Sequence, residues 1–143
     1  MGTLDWYLDA SLLVALLTPE ALSGRAEDFI GLRSGPLVVS DLASAEFASA
    51  IARRVRTRET TLAEARTDLS DFDLWVTRSA QRVEIAATDV ALATTFLRRL
   101  DLPLRTPDAI HIAIAQRLGA TLVTFDRRMA ASAGALGAPV ATP

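Results

Sequence analysis

The sequence predicts a three-layer α/β/α domain, with a mainly parallel sheet of four or five short strands and helices on both faces. Short apolar segments alternate with longer segments whose apolar residues recur every three or four positions, a pattern typical of strands followed by helices. Half of the residues are apolar and 22% are charged, which is the composition of a compact globular protein. The length of 143 residues suits one domain, so we treat 1–143 as a single unit.

The predicted elements follow one another without an evident linker or internal repeat. We predict strands at 4–8, 37–39, 82–86, 121–124 and 139–141, and helices at 12–17, 20–33, 41–58, 61–78, 88–100 and 107–118, with one more short helix after residue 126. The predicted N-caps of four of these helices are Ser11, Ser40, Thr88 and Thr106. Gly119 is the predicted stop of the helix that precedes it.

Composition excludes several kinds of site. The chain has no cysteine, so it can form no disulfide, cysteine nucleophile or cysteine metal site. All 15 basic residues are arginine, and no lysine is present. The net charge of −2 gives no general attraction to nucleic acid. The N-terminus lacks the pattern of a signal peptide and no apolar run is long enough to span a membrane, so we expect a cytoplasmic protein.

Four acidic residues stand at positions where parallel α/β folds bind ligands. Asp9 and Asp126 follow predicted strands, whereas Glu46 and Asp108 lie near the starts of predicted helices. Ligands of such folds bind at the carboxyl ends of the strands. We therefore predict that these four side chains converge at one edge of the sheet.

Four carboxylates in one cleft would repel one another unless a cation were bound between them. Oxygen ligands, in a chain with no cysteine and one histidine, suit Mg²⁺ or Mn²⁺ better than zinc. Mg²⁺ commonly takes one or two carboxylates together with waters and phosphate oxygens, an arrangement that serves the hydrolysis of phosphodiesters. The sequence thus favours a metal-dependent phosphodiesterase.

Each of these residues also has a purely structural interpretation. Asp108 and Asp126 could stabilise helix starts, Asp9 could end a strand, and Glu46 could be an exposed helix residue. Ser11 and Thr124 could either cap helices or orient carboxylates and bound water. We interpret His111 as a packed helix residue rather than a ligand.

Four short motifs carry a resemblance to a known family. They are YLDAS at 7–11, SAEF at 44–47, TPDAIHIA at 106–113 and LVTFD at 122–126. In this order and spacing, which cover nearly the whole chain, they resemble the PIN-domain family, specifically the VapC-type toxin ribonucleases of bacterial toxin–antitoxin pairs. One small departure is the polar Asp5 and two aromatic residues near the first strand.

The resemblance implies a metal-dependent endoribonuclease with a PIN-like fold that binds Mg²⁺ or Mn²⁺. It implies that Asp9, Glu46, Asp108 and Asp126 form the catalytic, metal-binding set, and that Thr124 supports them. It also implies a homodimer and a cognate VapB-like antitoxin that blocks the site. The antitoxin could lie on apolar surface of the 12–17 and 61–78 helices, although these apolar residues could equally be ordinary core.

RNA contacts are predicted at an arginine cluster and remain open to a second interpretation. Arg53, Arg54, Arg56 and Arg58 could bind phosphates through their guanidinium groups. They could equally form a solvated helix end, where cations favour the helix dipole.

Three alternative functions fit the sequence less well than a ribonuclease does. A phosphotransfer domain or haloacid-type phosphatase also has an aspartate after its first strand, but both usually need a lysine, which this chain lacks. A dinucleotide-binding domain needs a glycine-rich turn after that strand, and none is present. A non-catalytic PIN-like binding or scaffold module is disfavoured by the intact acidic quartet.

Overall fold

The structure, a computed structural model, describes residues 5–143 and contains five strands and seven helices within them. The strands are β1 (Trp6–Leu8), β2 (Leu37–Ser40), β3 (Gln81–Val83), β4 (Thr121–Val123) and β5 (Val140–Ala141). The helices are α1 (Ala10–Leu17), α2 (Ser23–Gly31), α3 (Asp41–Arg56), α4 (Leu62–Ser79), α5 (Ala87–Leu97), α6 (Thr106–Leu118) and α7 (Arg127–Ala135). The predicted start of the first strand at residue 4 lies outside the described residues. None of the helices within residues 5–143 has both the length and the apolar character that a membrane span requires.

The five strands form one parallel sheet in the order β3-β2-β1-β4-β5. The chain adds β2 and β3 on one side of β1 and then crosses to add β4 and β5 on the other side. The connection after β1 therefore runs to one side of the sheet and the connection after β4 to the other, so the strand order reverses between these two strands. In open α/β sheets, ligands bind in the crevice at such a switch point, beyond the carboxyl ends of the strands.

Alternation along the strands places a helical layer on each face of the sheet. One face carries Tyr7, Val38 and Leu122, which pack against residues of α5, α6 and α7. The opposite face carries Leu8, Val39 and Val123, which pack against α1, α2, α3 and α4. The predicted three-layer α/β/α architecture is confirmed, because successive strand residues point to opposite faces.

Aromatic packing joins the two longest helices. Phe47 of α3 and Phe72 of α4 are stacked with ring centroids 4.3 Å apart, and both are buried. Full burial of a side chain of this size stabilises a fold by about 1.5–3 kcal/mol. Leu12 and Leu13 of α1 are also completely buried, so these leucines and Phe72 are core and cannot contact an antitoxin directly. Only more exposed residues of α1 and α4 remain available for a partner.

Several predicted helix caps are confirmed and others are corrected. Ser40 caps α3 as predicted, since its Oγ accepts a hydrogen bond from the Ala43 N–H. Gly119 ends α6 with a φ of 63°, the left-handed conformation that glycine adopts at low cost. The cap of α1 is Asp9 rather than Ser11, because the Asp9 carboxylate accepts from the Leu12 N–H.

The starts of α5 and α6 share one pattern, which differs from the predicted caps. The predicted caps Thr88 and Thr106 both lie inside their helices. At each start a carboxylate on the third helical residue reaches back to the backbone N–H of the cap position: Asp89 accepts from Ala86, and Asp108 accepts from Arg105. An aspartate three residues into a helix can satisfy that donor, which is the second half of a capping box.

The remaining differences are shifts of element boundaries. Strand β3 ends at Val83 instead of residue 86, because Ala86 is already the cap of α5. Helix α2 begins at Ser23 rather than residue 20. Neither shift changes the order of elements.

Candidate active site

Asp9 lies at the switch point of the sheet. It follows the last residue of β1, and its backbone N–H donates to Val123 O of β4 at 3.2 Å. Its side chain is 3% exposed and caps the N-terminus of α1. A carboxylate is therefore held at the crevice where parallel α/β folds bind ligands.

Three donors hold the Asp9 carboxylate. Ser11 Oγ donates to Oδ1 at 2.7 Å and the Leu12 N–H donates to the same oxygen at 3.0 Å. Thr124 Oγ1 donates to Oδ2 at 2.5 Å. Ser11 and Thr124 were expected either to cap helices or to orient carboxylates and bound water. The geometry shows that both residues orient the Asp9 carboxylate.

The two hydroxyls are themselves held by the backbone that follows β4. Ser11 Oγ accepts from the Phe125 N–H at 3.0 Å, and Thr124 Oγ1 accepts from the Asp126 N–H at 2.9 Å. Each hydroxyl thus receives one hydrogen bond and donates another to Asp9. This arrangement links the ends of β1 and β4 across the crevice.

Burial raises the pKa of the Asp9 carboxyl above its ordinary value. Hydrogen bonds from Thr124, Leu12 and Ser11 favour the charged form, but they offset only part of the desolvation. Ionising Asp9 in the absence of a cation consequently costs more than ionising an exposed aspartate. A bound cation would remove this cost.

Glu46 contacts His111 across the interface between α3 and α6. Glu46 lies in the second turn of α3, and its side chain is 34% exposed. Its Oε1 forms a hydrogen bond with Nε2 of His111, which is 2% exposed. His111 is buried as predicted, but it also contacts a predicted site residue, which the sequence analysis did not anticipate.

Asp108 and Asp126 each use one oxygen at the start of their own helix. Asp108 Oδ2 accepts from the Arg105 N–H at 3.2 Å and lies 3.6 Å from Arg105 Nε. Asp126 Oδ1 accepts from the N–H groups of Arg128 and Met129 at 2.9 and 3.0 Å. Among residues 5–143, the second oxygen of each carboxylate has no hydrogen-bond partner. The helix-start role considered for both residues is therefore real, and it leaves one oxygen of each for a ligand.

The four carboxylates do not form a compact cluster. Within the described part of the chain, no three acidic or histidine side chains come close enough together to surround one metal ion. A single pocket with all four as direct ligands therefore stays a prediction. The donor set still fits Mg²⁺ or Mn²⁺, because these ions prefer oxygen ligands and Mg²⁺ needs only one or two carboxylates besides water and phosphate.

A groove with basic walls runs beside Glu46. Its volume is about 600 Å³, and its lining includes Arg53 and Arg56 of α3 together with Arg105 at the start of α6. Arg105 also lies 3.6 Å from Asp108, which does not line the groove, and its side chain is 81% exposed. Arginines beside carboxylates can hold phosphates of a nucleic acid near an acidic site.

The predicted arginine cluster divides into different environments. Arg54 also lines the groove, but its guanidinium donates to Thr18 Oγ1 at 2.9 Å and lies 3.6 Å from Glu20 Oε2. Arg58 lies beyond the last residue of α3 and does not line this groove. The geometry therefore favours Arg53 and Arg56 over the other two as phosphate contacts.

Sequence reasoning missed Tyr7, His111 and Arg105 as neighbours of the site. His111 gave a signal, because it follows Asp108 by three residues on α6 and residues at this spacing lie on the same side of a helix. Tyr7 lies in β1 two residues before Asp9, which stands just beyond the strand. Arg105 could have been found from its place directly before the TPDA motif.

Comparisons with known proteins agree on one family. The family model described as the PIN domain matches residues 6–135. Ribonuclease VapC46 of Mycobacterium tuberculosis is 36% identical over 140 residues, which cover 96% of each chain. Ribonuclease VapC3 of Pyrobaculum aerophilum is 33% identical over 92% of this chain and 97% of its own.

Solved structures share the fold at lower sequence identity. The structure of FitAB bound to a DNA fragment superposes with a TM-score of 0.76 at 14% identity, covering 96% of this chain and 94% of the other. Mycobacterium tuberculosis VapC20, described as a toxin that cleaves the sarcin–ricin loop, gives a TM-score of 0.73 at 18% identity over 89% of this chain and 94% of its own. VapBC2 of Rickettsia felis, bound to a promoter fragment, gives 0.70 at 14% identity, with 97% and 98% covered.

Proposed function

This chain belongs to the PIN-domain family, and we propose that it is an endoribonuclease that acts as the toxin of a toxin–antitoxin pair. Both curated relatives are named as VapC ribonucleases, and each aligns with more than nine-tenths of this chain. The resemblance of the four motifs, drawn from the sequence alone, led to the same family. The reaction is the hydrolysis of RNA phosphodiester bonds.

The buried Asp9 carboxylate at the switch point is the observation that carries the proposal. A carboxylate oriented there by Ser11 and Thr124, with its pKa raised by burial, is costly for a protein that binds no cation. If this residue served only as the cap of α1, a neutral side chain such as serine or asparagine would fill the role without that cost. The arrangement therefore favours a site that serves chemistry.

The proposal includes dependence on Mg²⁺ or Mn²⁺. Asp9 would be the central ligand, and Glu46, Asp108 and Asp126 would complete the set directly or through water, with Ser11 and Thr124 holding Asp9 in place. The metal would supply activation of water and neutralisation of charge at the scissile phosphate. Arg53, Arg56 and Arg105 would hold neighbouring phosphates in the groove beside Glu46.

The proposal also includes two protein partners: a second copy of this chain and a VapB-like antitoxin. One structural neighbour is described as a toxin–antitoxin complex from Klebsiella pneumoniae, and two others as the VapBC of Salmonella typhimurium and the VapBC-1 of Haemophilus influenzae. Apolar side chains stay exposed on the described surface, including Leu62 and Leu74 of α4. Co-purification with the product of a short adjacent gene, followed by light scattering of the free toxin, tests both partners.

The test of function is RNA cleavage by purified protein freed of any partner. Wild-type protein should cut RNA with Mg²⁺ or Mn²⁺ and should be inactive with a chelator. Asp108→Asn should lower the rate by more than about 100-fold, because it removes a charged ligand while an amide oxygen can still accept from the Arg105 N–H. Asp71→Asn is the matched control, since Asp71 is an exposed aspartate on α4.

Two results would reject the proposal. One is a partner-free wild-type protein that cuts no RNA with either metal, which would favour the scaffold module. The other is an Asp108→Asn variant that cleaves RNA and arrests cell growth as wild type does.

A further inference from the structure

A chain of hydrogen bonds connects the core of the sheet to Glu46. The Ala43 N–H donates to Ser40 Oγ at 3.0 Å, and Ser40 Oγ lies 2.7 Å from Tyr7 Oη. Tyr7 Oη lies 2.6 Å from His111 Nδ1, and His111 Nε2 contacts Glu46 Oε1. The chain joins β2, β1, α6 and α3, and Tyr7, Ser40 and His111 are all at most 2% exposed.

Only one assignment of donors and acceptors in this series of hydrogen bonds gives every buried hydroxyl proton an acceptor. Among residues 5–143, Tyr7 Oη is the only hydrogen-bond acceptor for the Ser40 proton, so that proton goes to Tyr7 Oη. The Tyr7 proton then goes to His111 Nδ1, and the histidine proton lies on Nε2 and points at the carboxylate. Every donor and acceptor is satisfied in this direction.

The reverse direction fails at both ends. If His111 carried its proton on Nδ1, Tyr7 would donate to Ser40, and the Ser40 proton would have no acceptor among residues 5–143. The lone pair of Nε2 would also face the Glu46 carboxylate. A proton on both ring nitrogens would leave the same Ser40 proton without an acceptor. Buried polar groups without partners are rare in folded proteins.

The direction of these hydrogen bonds decides whether His111 donates a proton to Glu46. Its side chain is one-third exposed, and an untethered glutamate on a helix samples several rotamers. The bond to His111 uses Oε1, whereas Oε2 has no hydrogen-bond partner among the described residues. Because Ser40 also caps the helix that carries Glu46, the same hydroxyl fixes the helix start and the tautomer. The position of Glu46 is thereby tied to β1, two residues before Asp9.

We propose that His111 is a positioning residue of the nuclease site. Tyr7 and Ser40 hold the His111 proton on Nε2, and the hydrogen bond from this proton to Oε1 fixes Glu46 and leaves Oε2 for the metal ion or a water bound to it. Both ring nitrogens are engaged, so His111 is not itself a metal ligand. The consequence for cleavage rests on the proposed function, whereas the tautomer and the metal affinity can be measured without it. Residues that orient metal ligands typically change metal affinity or activity by about 10–100-fold when replaced.

The first measurement is the tautomer, by nitrogen NMR of protein labelled with ¹⁵N-histidine. His111 is the only histidine, so one pair of ring signals reports the site. Wild-type protein should show the proton on Nε2, and Tyr7→Phe should shift the pair toward a mixture of tautomers. A proton on Nδ1 in wild-type protein would overturn the proposal.

The second measurement is Mn²⁺ affinity and RNA cleavage for His111→Leu, His111→Gln and Tyr7→Phe. His111→Leu should bind Mn²⁺ about tenfold or more weakly and lower kcat with little change in KM. His111→Gln should recover part of both losses, because its amide N–H can reach Glu46. Tyr7→Phe keeps the buried ring and removes only the hydroxyl group. It therefore tests the series of hydrogen bonds by a milder change if His111→Leu does not fold.

The outcomes separate this proposal from the function. If wild-type protein cuts no RNA, the ribonuclease function is wrong, and the tautomer and Mn²⁺ affinity still decide the role of His111. If wild-type protein cuts RNA while folded His111→Leu or Tyr7→Phe keeps wild-type kcat and Mn²⁺ affinity, the positioning role is wrong. Equal losses in His111→Gln and His111→Leu would also count against it.

Discussion

Replacing Asp9 with asparagine should stabilise the metal-free protein and remove its stabilisation by a divalent cation. The asparagine Oδ1 can keep the hydrogen bonds from Ser11 and Leu12. Its amide can donate to Thr124 Oγ1 once that hydroxyl rotates. The variant therefore keeps the local structure and removes a carboxylate whose pKa is raised by burial. A neutral side chain avoids that desolvation cost.

The size of the metal effect follows from the length of the chain. Unfolding entropy of about 2.1 cal/mol/K per residue gives roughly 0.3 kcal/mol/K for 143 residues. A cation present at about 100 times its Kd stabilises the folded state by about 2.7 kcal/mol. The Tm of wild-type protein should consequently rise by roughly 9 °C under those conditions. The Tm of Asp9→Asn should change little at the same concentration.

The raised pKa of Asp9 also sets the direction of a pH effect in the absence of metal. The folded protein holds the proton more tightly than the unfolded chain does. This contribution to stability is complete below the ordinary aspartate pKa of about 3.9 and is lost as the pH rises through the folded-state pKa. The difference in the free energy of unfolding between Asp9→Asn and wild type should thus grow with pH across that window.

Differential scanning calorimetry with a chelator and with Mn²⁺, at several pH values, measures these effects. Asp71→Asn is again the control and should behave as wild type in every condition. A lower Tm for Asp9→Asn without metal, or an equal Mn²⁺-induced rise in variant and wild type, would refute the reasoning.

Two further predictions concern the arginines. Arg117→Met should destabilise the protein by about 3 kcal/mol in denaturant unfolding, because Asp89 is 1% exposed and loses two hydrogen bonds from the guanidinium, at 2.8 and 2.9 Å. Arg99→Met removes an exposed ion pair and should cost much less than Arg117→Met, so an equal loss in both variants would contradict this account. Arg53→Ala should raise the KM for RNA and reduce the slope of log affinity against log salt by about 0.7, as expected for one lost contact to a single strand. Arg78→Ala, at the exposed end of α4, should leave both quantities unchanged, and a matching change there would refute a local role for Arg53.

The positions of the candidate residues along the chain were predictable, but their partners were not. Asp9 and Asp126 follow β1 and β4 as the pattern predicted, and a carboxylate after a strand is a local signal. The side chain that accepts a hydrogen bond at the start of α1 depends on which of two nearby polar residues faces the free N–H groups, and Asp9 rather than Ser11 does so. Ser11 instead bonds to the backbone beyond β4, over a hundred residues away.

His111 shows the same limit for a buried polar residue. The apolar spacing around it predicted a packed helix, and it is packed. Its hydrogen bonds to Tyr7 and Glu46, however, span 104 and 65 residues of sequence. No periodicity within one helix reports such contacts, because periodicity reflects only which side of the helix is buried.

The amino-acid sequence by itself determined the succession of strands and helices, the exclusion of thiol and lysine chemistry, and the identity of the acidic side chains. These follow from short-range sterics, from apolar spacing and from composition, all of which can be read locally. The tertiary structure alone decided that β4 lies beside β1, opposite to β2, so that Thr124 reaches Asp9 across 115 residues of sequence. It also decided that the carboxylates are held separately, each at its own helix or partner, because strand order and helix docking depend on how the whole core packs.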